Sequence, residues 1–163
     1  MFSKIGALVL KICALLDRFE GAPILLVRVV LGVMFIQSGH GKLFGGHEKV
    51  TGFFTDLGIP LPSLNAWLVA GVEFFGGICL IVGLGTRLFA FMLSFTMLIA
   101  TLTAKLPDLR KEPDFNITSL FFVSEVLAML LLLWMVFSGA GPLSLDRVAA
   151  KKLAPPPPAK PAA

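Results

Sequence analysis

Three ionisable side chains stand inside long apolar runs of this sequence: Arg28, Glu73 and Glu125. A charge at bilayer depth costs about 2.5–3.5 kcal/mol on insertion scales, so such groups face a protein interior and pair. Two acids against one arginine leave an excess of negative charge, and crowding of like charges away from water favours keeping a proton on one of them. A protonatable acid beside a cation in an apolar pocket is suited to binding a quinol or relaying its protons. The same three groups also suit a structural ion pair that fixes helix register. His40 and Lys42 follow the first run in "SGHGKLFGG". There they suit an anionic or quinone-like head group, or an ordinary interfacial position.

Four runs must position these residues: Ala22 to Gly39 with Arg28, Ala66 to Leu84 with Glu73, Leu88 to Ala104 with no ionisable group, and Ile117 to Phe137 with Glu125. Crossing the hydrocarbon core takes about 20 apolar residues in a helix, with a range of roughly 17–25. No strand-like alternation over about 10 positions is visible, so the runs read as helices. At ~1.5 Å rise per residue, Glu73 and Glu125 each lie about 12 Å below the outer boundary, and Arg28 about 16 Å. The sequence therefore predicts that Arg28 pairs with Glu73, with Glu125 close by. Faces agree with this level. Arg28, Gly32, Phe35, Gly39 and Lys42 share one side of the first run, and Ala66, Ala70, Glu73 and Gly77 one side of the second. Thr118, Phe121, Phe122, Glu125, Ala128 and Met129 cluster on the fourth.

Around the runs, residues 1–20 repeat apolar positions at helical spacing but carry Lys4, Lys11, Asp17 and Arg18, the pattern of an interfacial amphipathic helix. Between the first two runs, Val50, Phe53, Phe54 and Leu57 predict a short amphipathic helix ended by Gly58 and Pro60. "GLGT" is a tight hairpin with Arg87 as its interfacial anchor, and residues 148–163, ending "LAPPPPAKPAA", read as a disordered tail. The expected fold is all-α: an integral membrane four-helix bundle over residues 21–147.

Composition excludes other classes. The mean hydropathy of +0.90 places the chain among membrane proteins. Its net charge of +4 forms no stripe, which argues against nucleic acid. Cys13 and Cys79 are isolated and His40 and His47 are the only histidines, so the chain shows no thiol pair, metal set or haem motif of its own. Eight Lys and Arg residues fall on the side of the termini and the 84–87 hairpin, against five on the other. That bias predicts cytoplasmic termini in the cell membrane, the inner or plasma membrane.

The elements "RVVLGVMFIQSGHGKLFG", "GIPLP", "AGVEFFGGICLIVGLGTRLFA" and "GPLSLDR" occur in that order, and with them the chain resembles the DoxX family of small four-helix membrane proteins over roughly residues 22–147. In "GHGKLF", Gly39 and Lys42 carry the match; no role transfers to His40. The resemblance implies association with respiratory or thiol-redox complexes, as for the subunit paired with thiosulfate:quinone oxidoreductase. Relatives tied to disulfide formation are a poorer guide, since this sequence lacks a paired thiol.

Three functions are expected in turn. The first is a membrane redox accessory subunit binding a quinone or quinol, with Arg28, Glu73 and Glu125 as the polar floor of an outward-opening pocket and His40 and Lys42 at its mouth. It would be at most a subunit of a quinone-linked oxidoreductase, with quinone its one candidate cofactor, no metal and no catalytic residue of its own. Its partners would be the bilayer, a membrane or soluble redox protein, and further copies of itself. The alternatives are a ligand-free assembly subunit and a small proton-coupled transporter.

Overall fold

Gly21–Phe44 forms the first long helix, α1. The computed structural model describes residues 6, 21–111 and 116–153. The expected interfacial helix over 1–20 and the proline-rich end from residue 154 lie outside the described residues, apart from Gly6. A short helix α2, His47–Asp56, follows, then α3, Pro62–Val82. Helix α4 runs Thr86–Leu109 with a π-helical turn at Thr101–Lys105. A 3₁₀ turn at Ile117–Phe122 precedes α5, Ser124–Ser138, and α6 covers Leu145–Leu153. No strand occurs among the described residues.

Helices α1, α3 and α4 are long and apolar enough to cross a membrane. The fourth run departs from expectation. Residues 117–137 do not form one continuous span, because Val123 is extended, with φ −79° and ψ 125°. The helix restarts at Ser124, which places Glu125 in its first turn, where a carboxylate complements the positive end of the helix dipole. At 15 residues α5 is about 22 Å long, short of a full hydrocarbon core. The predicted face of the fourth run is broken at the same point: Phe121 and Phe122 are exposed while Ala128 is buried. The tail also orders further than expected. Residues 148–153 continue α6, whose Asp146 stands in the first turn and Lys151 and Lys152 in the last, each matching the dipole.

Packing follows the small residues. Helix α1 lies along α3 with Gly32 and Gly39 facing Gly77 and Ala70. A methyl on Gly77 would stand 2.7 Å from the Gly32 carbonyl oxygen, so the two backbones touch. Helix α5 packs on α4, and Leu31, Phe35, Leu80, Leu93, Leu132 and Met135 fill the centre. Outward faces carry exposed apolar side chains such as Leu26, Phe75, Phe91 and Leu127, as a surface in contact with lipid requires. On the predicted faces of the first two runs, Arg28, Gly32, Phe35 and Gly39 on α1 and Ala66, Ala70, Glu73 and Gly77 on α3 are buried, while Lys42, the last of the first face, is partly exposed.

Candidate functional site

Arg28 and Glu73 do not meet. Each is 1% exposed, so each needed a partner, and each found a different one. Arg28 sits in the third turn of α1, toward the end of the bundle where α3 stops. Its Nε donates to the Leu80 carbonyl at 2.8 Å and its Nη2 to the Ile81 carbonyl at 2.9 Å. Its Nη1 donates to the carbonyls of Ala140 and Leu143 at 2.7 and 2.8 Å. Leu80 and Ile81 belong to the last turn of α3, whose carbonyls have no intrahelical donor and which carries the negative end of the helix dipole. The guanidinium therefore caps α3 and ties down the loop after α5.

On the other side of the same hairpin, the Asp146 carboxylate accepts from the backbone N–H groups of Gly85 and Thr86 at 2.7 and 2.9 Å. It thereby caps the N-terminus of α4. Burial pushes the Asp146 carboxyl up, but the N–H groups of Thr86 and Gly85 and the charge of Arg28 outweigh it, leaving the carboxyl below its ordinary value. Gly83 must be glycine for two reasons: its φ is +76°, and a side chain would run into the Arg28 guanidinium.

Glu73 pairs with Lys42 instead. Lys42 Nζ donates to both carboxylate oxygens, at 2.5 and 2.6 Å. Lys42 is near the end of α1 and Glu73 is mid-way along α3. The ammonium reaches down along the helix seam, its long apolar stem covering the distance. Glu125 has its own cation as well, with Lys105 Nζ at 3.2 Å. The π-helical turn of α4 ends on Lys105, the residue that faces Glu125. The expected excess of one negative charge is thus absent: each acid has a lysine, Lys42 from the expected pocket mouth and Lys105 from the outer-side charges.

Lys42, Glu73 and Glu125 nevertheless share one space. A cavity of about 340 Å³ lies between α1, α3, α4 and α5, and these three side chains line it. Its remaining wall is mostly apolar, with Phe35, Val69, Met97 and Ala100 among the lining residues. Helix α2 covers one side with Val50, Phe53 and Phe54, three of the residues that predicted a short amphipathic helix there. Met34 and Ile99 line the cavity and are also 46% and 39% exposed, about half-way along their helices. At that level the cavity wall and the lipid-facing surface share residues.

His40 is not at the mouth. It is exposed on α1, its ring 4.8 Å from that of Phe44, away from the cavity. It is two residues from Lys42, and such neighbours point to different sides of a helix. His47 opens α2, stacks on Trp67 at 4.4 Å and approaches Ser63 Oγ at 3.3 Å. Among the described residues no group of three or more His, Cys, Asp or Glu side chains is placed to hold a metal ion. What the cavity offers is a cationic donor and two carboxylates set in an apolar wall. Such a set can orient an amphiphilic ring by its oxygens and bury the rest of it.

The family model described as DoxX matches residues 24–106. A protein of Bacillus subtilis named "Putative oxidoreductase CatD" is 38% identical over 82 residues, covering 50% of this chain and 59% of that protein. A Mycobacterium tuberculosis protein named as an uncharacterized membrane protein is 30% identical over 139 residues, covering 82% of this chain and 85% of that one. The inner membrane protein YqjF of Escherichia coli is 28% identical over 138 residues, 84% of this chain and 99% of YqjF. No solved structure matches the chain.

Proposed function

The chain belongs to the DoxX family, and on that premise we propose that it is a membrane redox accessory subunit holding a quinone or quinol in the cavity between α1, α3, α4 and α5. One observation carries the reading: the Lys42–Glu73 pair faces an apolar cavity whose wall reaches the lipid-facing surface at Met34 and Ile99. A lipid-dissolved ligand can enter such a space without crossing water. The volume of about 340 Å³ lies within the roughly 300–1,000 Å³ common for small-molecule sites.

Lys42 donates to a ring oxygen of the ligand. Glu73 keeps the ammonium in place and accepts from a quinol hydroxyl, and Glu125 with Lys105 flanks the far wall. Arg28 and His40 have no part, since the first is spent on backbone carbonyls and the second lies outside the cavity. Electrons come from or go to a partner redox protein. The name of the B. subtilis relative, an oxidoreductase, supports the redox part of this reading. The Lys and Arg bias supports a cell-membrane protein with cytoplasmic termini, which puts Lys42, α2 and the cavity toward the outer face.

The test is extraction of the full chain in mild detergent with lipid analysis for co-purified quinone. Quinone at near one per chain, lowered at least tenfold by Glu73→Gln or by Ala100→Phe in a protein that still folds, is the expected result. A folded protein that carries a redox partner but no quinone would leave the assembly role instead. Proton-coupled flux by the isolated chain in liposomes would point to transport.

A further inference from the structure

The opposite end of the bundle carries a second cavity, unconnected with the first. It measures about 500 Å³ and lies between the α3–α4 hairpin, the loop from Ser138 to Ser144 and the first turn of α6. Arg87 and Arg147 both line it, and both are exposed. Neither forms an ion pair among the described residues. Arg87 makes one long contact, Nη2 to the Phe137 carbonyl at 3.4 Å, and the Arg147 side chain makes no hydrogen bond among the described residues.

Among the described residues, the one carboxylate lining this cavity, Asp146, is occupied by two backbone N–H groups and lies near the Arg28 charge. Two guanidinium groups are therefore left facing one open space. Gly139, at φ +79°, leaves room for the first of them: a methyl there would stand 3.3 Å from Arg87 Nε. Apolar and basic groups border the cavity in the order a bilayer presents them. Leu88, beside Arg87, is 60% exposed at the start of α4. Leu145 and Val148 are exposed on α6, which also carries Lys151 and Lys152 in its last turn. A basic helix with an exposed apolar edge, directly after the last apolar helix, lies in the interface and attracts anionic head groups.

We propose that this cavity is a binding site for the phosphate of an anionic phospholipid, held by Arg87 and Arg147 with its acyl chains along Leu88. A planar guanidinium pair matches a phosphate through bidentate hydrogen bonds. The three helix ends around it, at Val82, Thr86 and Ser138, place it at the level of the head groups. This site does not depend on the quinone reading.

Native mass spectrometry of the full chain, released from nanodiscs of phosphatidylcholine mixed with phosphatidylglycerol, tests it. The wild-type protein is expected to retain phosphatidylglycerol in preference to phosphatidylcholine. Arg147→Gln weakens that retention about fivefold, and Arg87→Gln with Arg147→Gln by about twenty-five-fold, from the charge-by-charge attraction to anionic lipid. Thermal unfolding in detergent reports whether each variant folds; if the double variant does not, Arg147→Gln decides alone, since its side chain is exposed. Equal retention of the two lipids by the wild type overturns the proposal. So does retention unchanged in Arg147→Gln, or an equal loss in Lys49→Gln with Lys111→Gln, which removes the same charge from the other end.

Discussion

Arg28 and Asp146 close one helical hairpin from its two electrostatic ends. The guanidinium takes the last carbonyls of α3, and the carboxylate takes the first N–H groups of α4, with only Gly83, Leu84 and Gly85 between the helices. The Asp146 N–H also donates to the Gly83 carbonyl at 2.9 Å, so the clasp is stitched through the backbone too. Here "GLGTR" and "GPLSLDR", which are distant in sequence, meet. Removing Arg28 leaves four backbone carbonyls without their donor, those of Leu80 and Ala140 buried and those of Ile81 and Leu143 partly so. Hydrogen bonds to charged groups contribute about 1.5–3 kcal/mol each, and they act here as one network. Arg28→Met is expected to abolish a monodisperse folded protein in detergent gel filtration, and Arg28→Lys to rescue it only in part, because an ammonium cannot span the same carbonyls. An Arg28→Met protein that melts like the wild type would refute the clasp.

The acid side of the clasp gives a pH dependence. In the folded state the Asp146 carboxyl ionises below its ordinary value of 3.8. Its contribution to stability is therefore complete above that value and drains away as pH falls through the lower, folded value. Asp146→Asn is expected to flatten the acid limb of thermal stability below about pH 4, while lowering the melting temperature at pH 7. An unchanged acid limb in the variant would assign that limb to other groups.

Lys42 and Glu73 are unequal partners: the carboxylate is 1% exposed and the lysine 29%. Breaking a buried pair from one side costs about 3–5 kcal/mol, because the remaining charge stays buried, whereas replacing both partners is often neutral. Lys42→Ala is expected to unfold at markedly lower temperature, and Lys42→Met with Glu73→Gln to recover most of the loss. A double-mutant cycle in one detergent measures this coupling.

Lys105 and Glu125 give the contrast. Their side chains are 47% and 21% exposed. Pairs of this kind contribute about 0–1 kcal/mol, so Lys105→Ala is expected to shift the melting temperature by only a degree or two. A loss as large as that of Lys42→Ala would mean the pair is far less hydrated than its exposure indicates.

Much of the arrangement was legible in the sequence, for definite reasons. Helical spacing put Arg28 and Gly39 on one face of α1, and Glu73 and Gly77 on one face of α3, because burial at a period of 3.6 leaves little choice. Depth arithmetic went wrong for Arg28. It assumed that a buried arginine seeks a carboxylate, but the end of α3 and the loop after α5 together offer four carbonyls. It gives neither acid a lysine as partner, when long flexible stems let Lys42, expected at the mouth, and Lys105, counted with the outer-side charges, reach Glu73 and Glu125. The break at Val123 has no glycine or proline to announce it in "FFVSEVLAM"; its one trace is the restart at Ser124 and Glu125, residue types that favour a helix start. Position at the end of the first run puts both His40 and Lys42 at the expected mouth, but residues two apart on a helix diverge, and only Lys42 lines the cavity.

The seam between α1 and α3 yields a sharper test of packing. A methyl on Gly39 would stand 2.8 Å from the Ala70 carbonyl oxygen and collide with the Phe74 backbone, with no flexible side chain to give way. Gly71, on the same helix α3, has nothing within 4 Å of the corresponding position. Alanine is the better helix former by about 1 kcal/mol, so Gly71→Ala is expected to be neutral or mildly stabilising. Gly39→Ala must instead push two backbones apart, which loosens the contact that aligns Lys42 with Glu73. Its expected signature is a lower melting temperature together with solvent access at Glu73, read as faster labelling of a cysteine placed at Ser38. Equal melting of the two variants would show that α1 and α3 do not touch as described.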